Sequence, residues 1–404
     1  MNDFPTRISL AQALQIIERL GHVRRVPAER LATGRADGRV LRADVIAPTA
    51  LPAFDNSAMD GFGLRHADSG QGPGHRRLVG EQFAGAAPLP ALGPGECVRI
   101  TTGAALPPGV DTVVIKENAR ERDGVVEFDE LPAAGAFVRR AGDDVRAGDV
   151  ILRAGQRLNA TRVALASAVG VAQLEVSARP TVAVFATGDE IVEPGLPLAP
   201  GQVYNANRDL LMARLRELGL SPVAWPTLPD DPVRIETMLR DAAAAFDLVL
   251  TCGGVSAGEK DHVPALLQQH GRVHFWKVRL RPGMPVLCGG LDNALLLGLP
   301  GNPVSVLATF TAIVTPLLAA MQGSSEMPLR LFAVLTAPWQ KRHDRLELLR
   351  GRLGCDRTGR LQVTPHSADG SHRLRAAADS DVLLVMEEGA RDYAAGDVVE
   401  VMRY

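Results

Sequence analysis

Between Pro180 and Ser305, short apolar runs alternate with stretches of helical periodicity. This alternation restricts the fold more than any other feature of the chain. "PTVAVFATGDE" reads as a buried strand, and "RDLLMARLRELG" as a helix that Asn207 can cap and Gly219 stops. "SPVAW" is a further strand, and the Asp231-Pro232 pair suits the N-cap and first turn of "VRIETMLRDAAAA". "DLVLT", "VHFWKV", "PVLCG" and "ALLLGLPG" complete the strands, with a helix after Asp261 and a longer one from Pro303. Strands separated by helices must connect by crossovers, so the pattern predicts a three-layer α/β domain on a mixed, mostly parallel sheet.

The flanking texture differs. Ser9 can cap a helix over residues 8–25, with Leu10, Leu14, Ile17 and Leu20 at helical spacing. From about Pro48 to Val138, short strand-like runs lie between Gly and Pro turns, the mark of a β-rich module. Strand-like runs return after Met327 and predict a small C-terminal β domain, barrel-like in character. With 404 residues the chain is too long for one ordinary core. The expected class is therefore α/β plus β, in several domains.

Composition excludes some functions. Lys+Arg 44 against Asp+Glu 46 leaves a formal charge of −2, and aromatics are only 4%, so no nucleic-acid partner is expected. Cys97, Cys252, Cys288 and Cys355 show no CxxC pairing and read as reduced thiols, Cys252 as a small core residue. The N-terminus has no basic start followed by an apolar core, so no secretory signal is expected. "PVSVLATFTAIVTPLLAAMQGSS" is uncharged and long, but Pro316 interrupts it and no basic cluster flanks it. It is expected to be a buried helix, without a membrane, in a cytoplasmic protein.

Four polar loops, "TGDE", "LPDDP", "CGGVSAGEKD" and "LPGNP", each follow an apolar strand. In an open parallel sheet such loops gather at the carboxyl edge, where ligands bind. The glycines of "CGGVSAG" allow close backbone approach, and Ser256 adds a hydroxyl. Lys277, Arg279 and Arg281 bring positive charge suited to a phosphate or another tetrahedral oxyanion. Asp189, Glu190, Asp230, Asp231, Glu259 and Asp261 crowd the same edge and would repel an anion unless a cation intervened. Mg²⁺, held by one or two carboxylates and by phosphate oxygens, resolves that conflict. Asp231 and Asp261 also stand at cap positions, so a purely structural role is open to each. No GxxxxGK[ST] is present, and no GxGxxG follows a strand, which disfavours a P-loop enzyme.

Seven motifs in order carry a resemblance over essentially the whole chain: "LPAFDNSAMDGFG" (51–63), "RITTGAALPPGVDTVV" (99–114), "VRRAGDDVRAGDVIL" (138–152), "PTVAVFATGDE" (180–190), "GGVSAGEKD" (253–261), "LPGNPVS" (299–305) and "LLRGRL" (348–353). Together they resemble the molybdopterin molybdenumtransferase family, the MoeA type shared with the C-terminal domain of gephyrin. The resemblance implies four domains: elongated domain I (1–49 and 141–178), inserted β domain II (50–140), α/β domain III (179–326) and C-terminal β domain IV (327–404). It also implies a homodimer in which domain II of one subunit faces domain III of the other.

The implied reaction takes adenylylated molybdopterin and molybdate to molybdenum cofactor and AMP, with Mg²⁺. Implied partners are the molybdopterin adenylyltransferase and cofactor-accepting proteins. Motif matching places Asp60, Thr102, Glu190, Asp230, Ser256 and Asp261 in the active site, with Glu190 and Asp261 toward Mg²⁺. Gly253 and Gly254 would line the substrate loop, and Lys277 and Arg281 would hold phosphate or molybdate. Pro300, Pro303 and Ser305 would shape the "LPGNP" wall, with Arg350 and Ser371 completing an oxyanion pocket near Pro285. Arg139 and Asp144 are expected to pair at the domain II hinge. One departure stands out. The family commonly has lysines in a K-P-G-K-P turn, whereas this chain has "RPGMP", so Met284 removes a charge and Arg281 replaces a compact cation with a forked one. A non-catalytic scaffold and a nucleotide-dependent kinase or nucleotidyltransferase are the rival readings.

Overall fold

A computed structural model describes residues 4–68, 74–256 and 261–404. At its centre is a seven-stranded sheet in the order Thr6–Ile8, Arg272–Val278, Leu287–Leu291, Ala294–Leu299, Leu248–Cys252, Val182–Ala186, Val223–Ala224. Leu287–Leu291 is antiparallel to both neighbours, and every other pairing is parallel. Alternation along the strands feeds two cores. Val182, Val184, Leu248 and Leu250 pack with helices Leu10–Val23, Ala206–Glu217 and the long helix from Pro303. Ala183, Phe185, Val249 and Leu296 face helices Pro232–Ala245 and His262–His270. Side chains of period two and helices on both faces make the three layers.

The uncharged run from Pro303 to Met321 is the third helix of the first core, and 83% of its most apolar window is buried inside the protein. Pro316 supplies no N–H to the helix, and the turn before it, Phe310–Val314, widens to a π-helical segment.

The C-terminal strands close into a five-stranded barrel, with Leu346–Cys355 pairing Leu361–Pro365 on one side and Val382–Met386 on the other. Leu331–Leu335 and Val398–Arg403 complete the ring. The barrel is joined to the α/β unit by a short parallel pairing, Leu280 with Leu346 and Arg281 with Glu347. The inserted module is a six-stranded sheet built from Gly61–Leu64 to Val125–Phe128. Two-stranded ladders, Ala28–Ala32 with Gln173–Ser177 and Val45–Ile46 with Val150–Leu152, link it to the rest.

Four local expectations need correction. The N-terminal segment, assigned to domain I, is built into the α/β unit: Thr6 and Ile8 pair with Trp276 and Val278, and helix Leu10–Val23 joins the first core. Its Ser9 cap is as expected, reinforced by Gln12 in a reciprocal capping box. The helix expected to begin after Asn207 is capped two residues earlier by Asn205, whose side chain accepts from the Arg208 N–H. Asp231 caps as expected, but Asp261 heads its helix without a side-chain capping bond. At the hinge, the ion pair is Arg140–Asp55 at 2.6 Å, not Arg139–Asp144.

Helix Leu10–Val23 crosses Thr315–Met321 so closely at Gly21 that a Cβ there would lie 2.4 Å from the Ala320 Cβ and 2.9 Å from its carbonyl carbon. Overpacking of this kind costs about 1–3 kcal/mol and is offset by at most ~1 kcal/mol of better helix propensity. Gly21→Ala is therefore expected to destabilise the protein by about 1–2 kcal/mol. Urea unfolding of the full chain checks this, and an unchanged midpoint would mean that the helix does not pack on the α/β unit.

Candidate active site

Three central strands end at one level, because Ala186 pairs with Cys252 and Cys252 with Leu299. The loops that follow them enclose a cavity of about 230 Å³ with Glu190, Asp230 and Asp261 on its wall. Gly253 and Gly254 form its floor, with φ of 95° and 68°. The first is obligatory on two counts: the backbone is left-handed, and a Cβ would meet Thr187 Oγ1 at 2.4 Å. The Gly253 N–H donates to the Leu299 carbonyl, and Asn207 Nδ2 donates to the Gly301 carbonyl at 2.6 Å. Those bonds tie the "CGG" and "LPGNP" loops to the sheet and to the neighbouring helix. The Asp230 N–H donates to Asp189 Oδ1, so one carboxylate orders the loop that presents the other.

The donors here are carboxylate oxygens, the hard ligands that Mg²⁺ prefers. Among the described residues, no three His, Cys, Asp or Glu side chains form a ready metal cage. Mg²⁺ keeps several waters and takes phosphate oxygens as ligands, so one or two protein carboxylates are enough to hold it. Glu259 and Lys260 lie outside the described residues.

A second cavity of about 630 Å³ opens on the other side of Gly301, which lines both. Ser256, Pro285, Pro300 and Ser305 form the α/β wall, and Arg345, Asp369 and Ser371 the barrel wall. Arg281 reaches this cavity but is not an unpaired cation. Its guanidinium lies 2.9 Å from Asp369 and 3.4 Å from the buried Glu347, which also accepts from the Trp339 indole. Arg350 does not line the cavity. It is 2% exposed, donating to the carbonyls of Ala368 and Gly370, so it shapes the loop that carries Asp369 and Ser371. Lys277 lines neither cavity, and its ammonium lies 4.5 Å from the centre of the Trp276 ring. Pro303 is the first residue of the following helix and sets its start, not the cavity wall.

Asp60 and Thr102 meet within the inserted module. The Thr102 N–H and hydroxyl both donate to Asp60 Oδ1 at 2.8 Å and, together with Lys116, hold its carboxyl below the usual range. Neither residue lines the two cavities of its own chain.

Sequence reasoning missed Arg345, Glu347, Asp369 and the loop-fastening role of Asn207. Arg345 and Glu347 flank an apolar position in "RLELLR", a pattern that reads as the exposed face of an edge strand. The place of Arg345 at the cavity, and of Glu347 buried behind Arg281, follows only from the barrel's pairing with Leu280–Arg281.

Comparison with known proteins agrees with this architecture. Family models for the MoeA N-terminal region (domains I and II), a probable molybdopterin binding domain and the MoeA C-terminal region (domain IV) match residues 8–170, 183–320 and 333–404. A molybdopterin molybdenumtransferase of Haemophilus influenzae is 37% identical, with 92% of this chain and 93% of that protein aligned. The chain belongs to the molybdopterin molybdenumtransferase family. Molybdopterin molybdenumtransferase 2 of Mycobacterium tuberculosis is 36% identical over 91% of this chain and 93% of its own length. The crystal structure of a molybdopterin biosynthesis MoeA protein from Pyrococcus horikoshii superposes with a TM-score of 0.81 at 28% identity, covering 98% of each chain. As a member of this family, the chain is a transferase of molybdenum cofactor biosynthesis.

In this molybdenumtransferase, Cys252 lines the smaller cavity but is 3% exposed, and burial pushes its thiol up to about 12. Burial likewise pushes Cys97 to about 12 and raises Cys288, while Cys355 is exposed. The thiolate is the reactive form. Brief alkylation of the native protein at pH 8 is therefore expected to modify Cys355 alone, and all four cysteines after denaturation. Mass spectrometry reads the difference, and native labelling of Cys252 would contradict the core assignment.

Proposed function

We propose that the two cavities are halves of one cleft that binds adenylylated molybdopterin and molybdate. The observation that carries this reading is Gly301, whose backbone lines both, so a single extended ligand passes from one to the other. The pyrophosphate lies over Gly253 and Gly254, whose lack of side chains lets an anion approach the backbone, and runs toward the Ser256 hydroxyl at the larger cavity. Glu190 and Asp261 are the residues that would hold Mg²⁺, and Asp230, on the same cavity wall, would order water. The cation supplies charge neutralisation and polarisation of the phosphoryl oxygens when bound. Water attack on the adenylyl phosphorus breaks the phosphoanhydride bond and releases AMP. The two sulfurs of the freed molybdopterin dithiol then bond to the molybdenum of molybdate in the larger cavity, and one molybdate oxygen leaves with the two thiol protons as water. Ser305 and Ser371 offer hydroxyl donors to the oxyanion, and Pro285 and Pro300 exclude water around it.

Asp60 and Thr102, remote from the cleft of their own chain, complete the cleft of a second subunit. The protein acts as a cytoplasmic homodimer in which domain II (50–140) faces domain III (179–326) of its partner. Domain IV (327–404) closes the cleft, and domain I spans the ladders around 28–49 and 141–178. The substrate comes from an adenylyltransferase, and the product passes to cofactor-accepting proteins. Against a scaffold role, Glu190, Asp230 and Asp261 share the smaller cavity.

Asp261→Asn keeps the shape of the side chain, and no capping bond from it is lost. AMP release with Mg²⁺ and molybdate is expected to fall at least ~100-fold, the scale of removing one electrostatic stabiliser, with an unchanged circular dichroism spectrum. Near-normal turnover would reduce Asp261 to a helix-terminus residue.

A further inference from the structure

We propose that a cavity at the amino edge of the central sheet, away from the cleft, is a second anion site that takes a small ligand bearing a phosphate or pyrophosphate group. The cavity, of about 530 Å³, lies where helices Leu10–Val23 and His262–His270 end and strand Arg272–Val278 begins. Arg19, Arg24, His270, Arg272, His274 and Asp292 line it. Leu295, at the start of the strand that ends in Leu299, is part of its wall, so the length of the sheet separates it from the "LPGNP" loop. Its charge is unbalanced. Asp292 is engaged by Arg240 at 3.4 Å, His270 faces Glu236 at 3.6 Å, and Glu18 faces His22 at 4.0 Å. Arg19, Arg24 and Arg272 have no carboxylate within 4.0 Å among the described residues, and Arg24 alone of the three has a side-chain hydrogen bond, to the Asn293 carbonyl.

Ordinary structural roles account for only part of this charge. A helix C-terminus carries about half a negative charge, so the two that end here balance about one guanidinium and leave two. The excess acts on His274, a half-buried side chain with no hydrogen-bond partner among the described residues. Burial first, then the charges of Arg272, Arg19 and Arg24, hold its imidazole below the usual range. Three like charges around one neutral imidazole repel one another, and an anion among them turns that repulsion into attraction. Guanidinium forks give N–H groups in pairs to phosphate oxygens, and a protonated His274 adds a further donor. The wall is concave and carries no Phe, Tyr or Trp, which fits a compact anion and not a stacked nucleic-acid strand.

The test follows the ring-proton NMR signals of His274, assigned with His274→Gln, while the full chain is titrated with inorganic pyrophosphate. Pyrophosphate is expected to move these signals saturably and to raise the pH at which they titrate, because a bound anion favours the imidazolium. Pyrophosphate bound in the catalytic cleft would leave them in place. Arg19→Gln with Arg272→Gln, both at exposed positions, is expected to weaken the binding read at His274 at least ~tenfold, the scale of losing charge-assisted hydrogen bonds. Tighter binding of ADP than of pyrophosphate assigns the phosphate to a nucleotide, and equal or weaker binding assigns it to a free anion. Signals that stay in place, signals that move equally with chloride at the same ionic strength, or wild-type affinity in the double variant overturn the proposal.

Discussion

Everything chemical in this protein depends on three parallel strands stopping together. Ala186, Cys252 and Leu299 lie side by side in register, so the backbone that leaves each of them emerges at the same height. A one-residue slip would turn Val182, Val184, Leu248 and Leu250 from one core into the other and is forbidden by both. The burial of two hydrophobic faces thus sets the placement of the "TGDE", "CGG" and "LPGNP" loops. The Gly253 N–H then fastens the "CGG" loop to the "LPGNP" loop, and Asn207 fastens the latter to its helix.

The second constraint is a pairing only two residues long. Leu280–Arg281 adds to the edge of the barrel beside Leu346–Glu347, and the larger cavity exists because of it. One wall comes from the α/β loops and the other from the barrel, so neither unit alone forms the pocket. The buried Glu347 is part of the same joint: it receives Arg281, the Trp339 indole and lies 3.4 Å from His343. Removing one member of such a buried group leaves the others uncompensated, so the joint and the charge of the cleft are coupled.

Much of this was legible in the chain itself. Periodicity located the strands and helices of the α/β unit, and turn chemistry set apart the inserted and C-terminal β modules. The carboxylates Glu190, Asp230 and Asp261 were placed at one edge by topology alone, and they share one cavity. The cap at Asn207 was misjudged because two asparagines stand two residues apart and either type caps well; the backbone turn selected Asn205. The N-terminal segment was misassigned because strand Thr6–Ile8 is three residues long and pairs with a strand more than 260 residues away. Local pattern carries no information on such a contact.

What the amino-acid order determined by itself is the inventory: which segments are strands, where glycine is obligatory, and which carboxylates follow which strands. These are local matters of period, backbone freedom and capping. What only the tertiary structure decided is the state of each charge. Arg281, Arg345, Arg350 and Lys277 look interchangeable in the sequence. Folding pairs the first with two acids, leaves the second facing the cavity, buries the third under a loop and lays the fourth on an indole. A charge's effect depends on what lies within a few ångströms of it, and those neighbours come from distant parts of the chain.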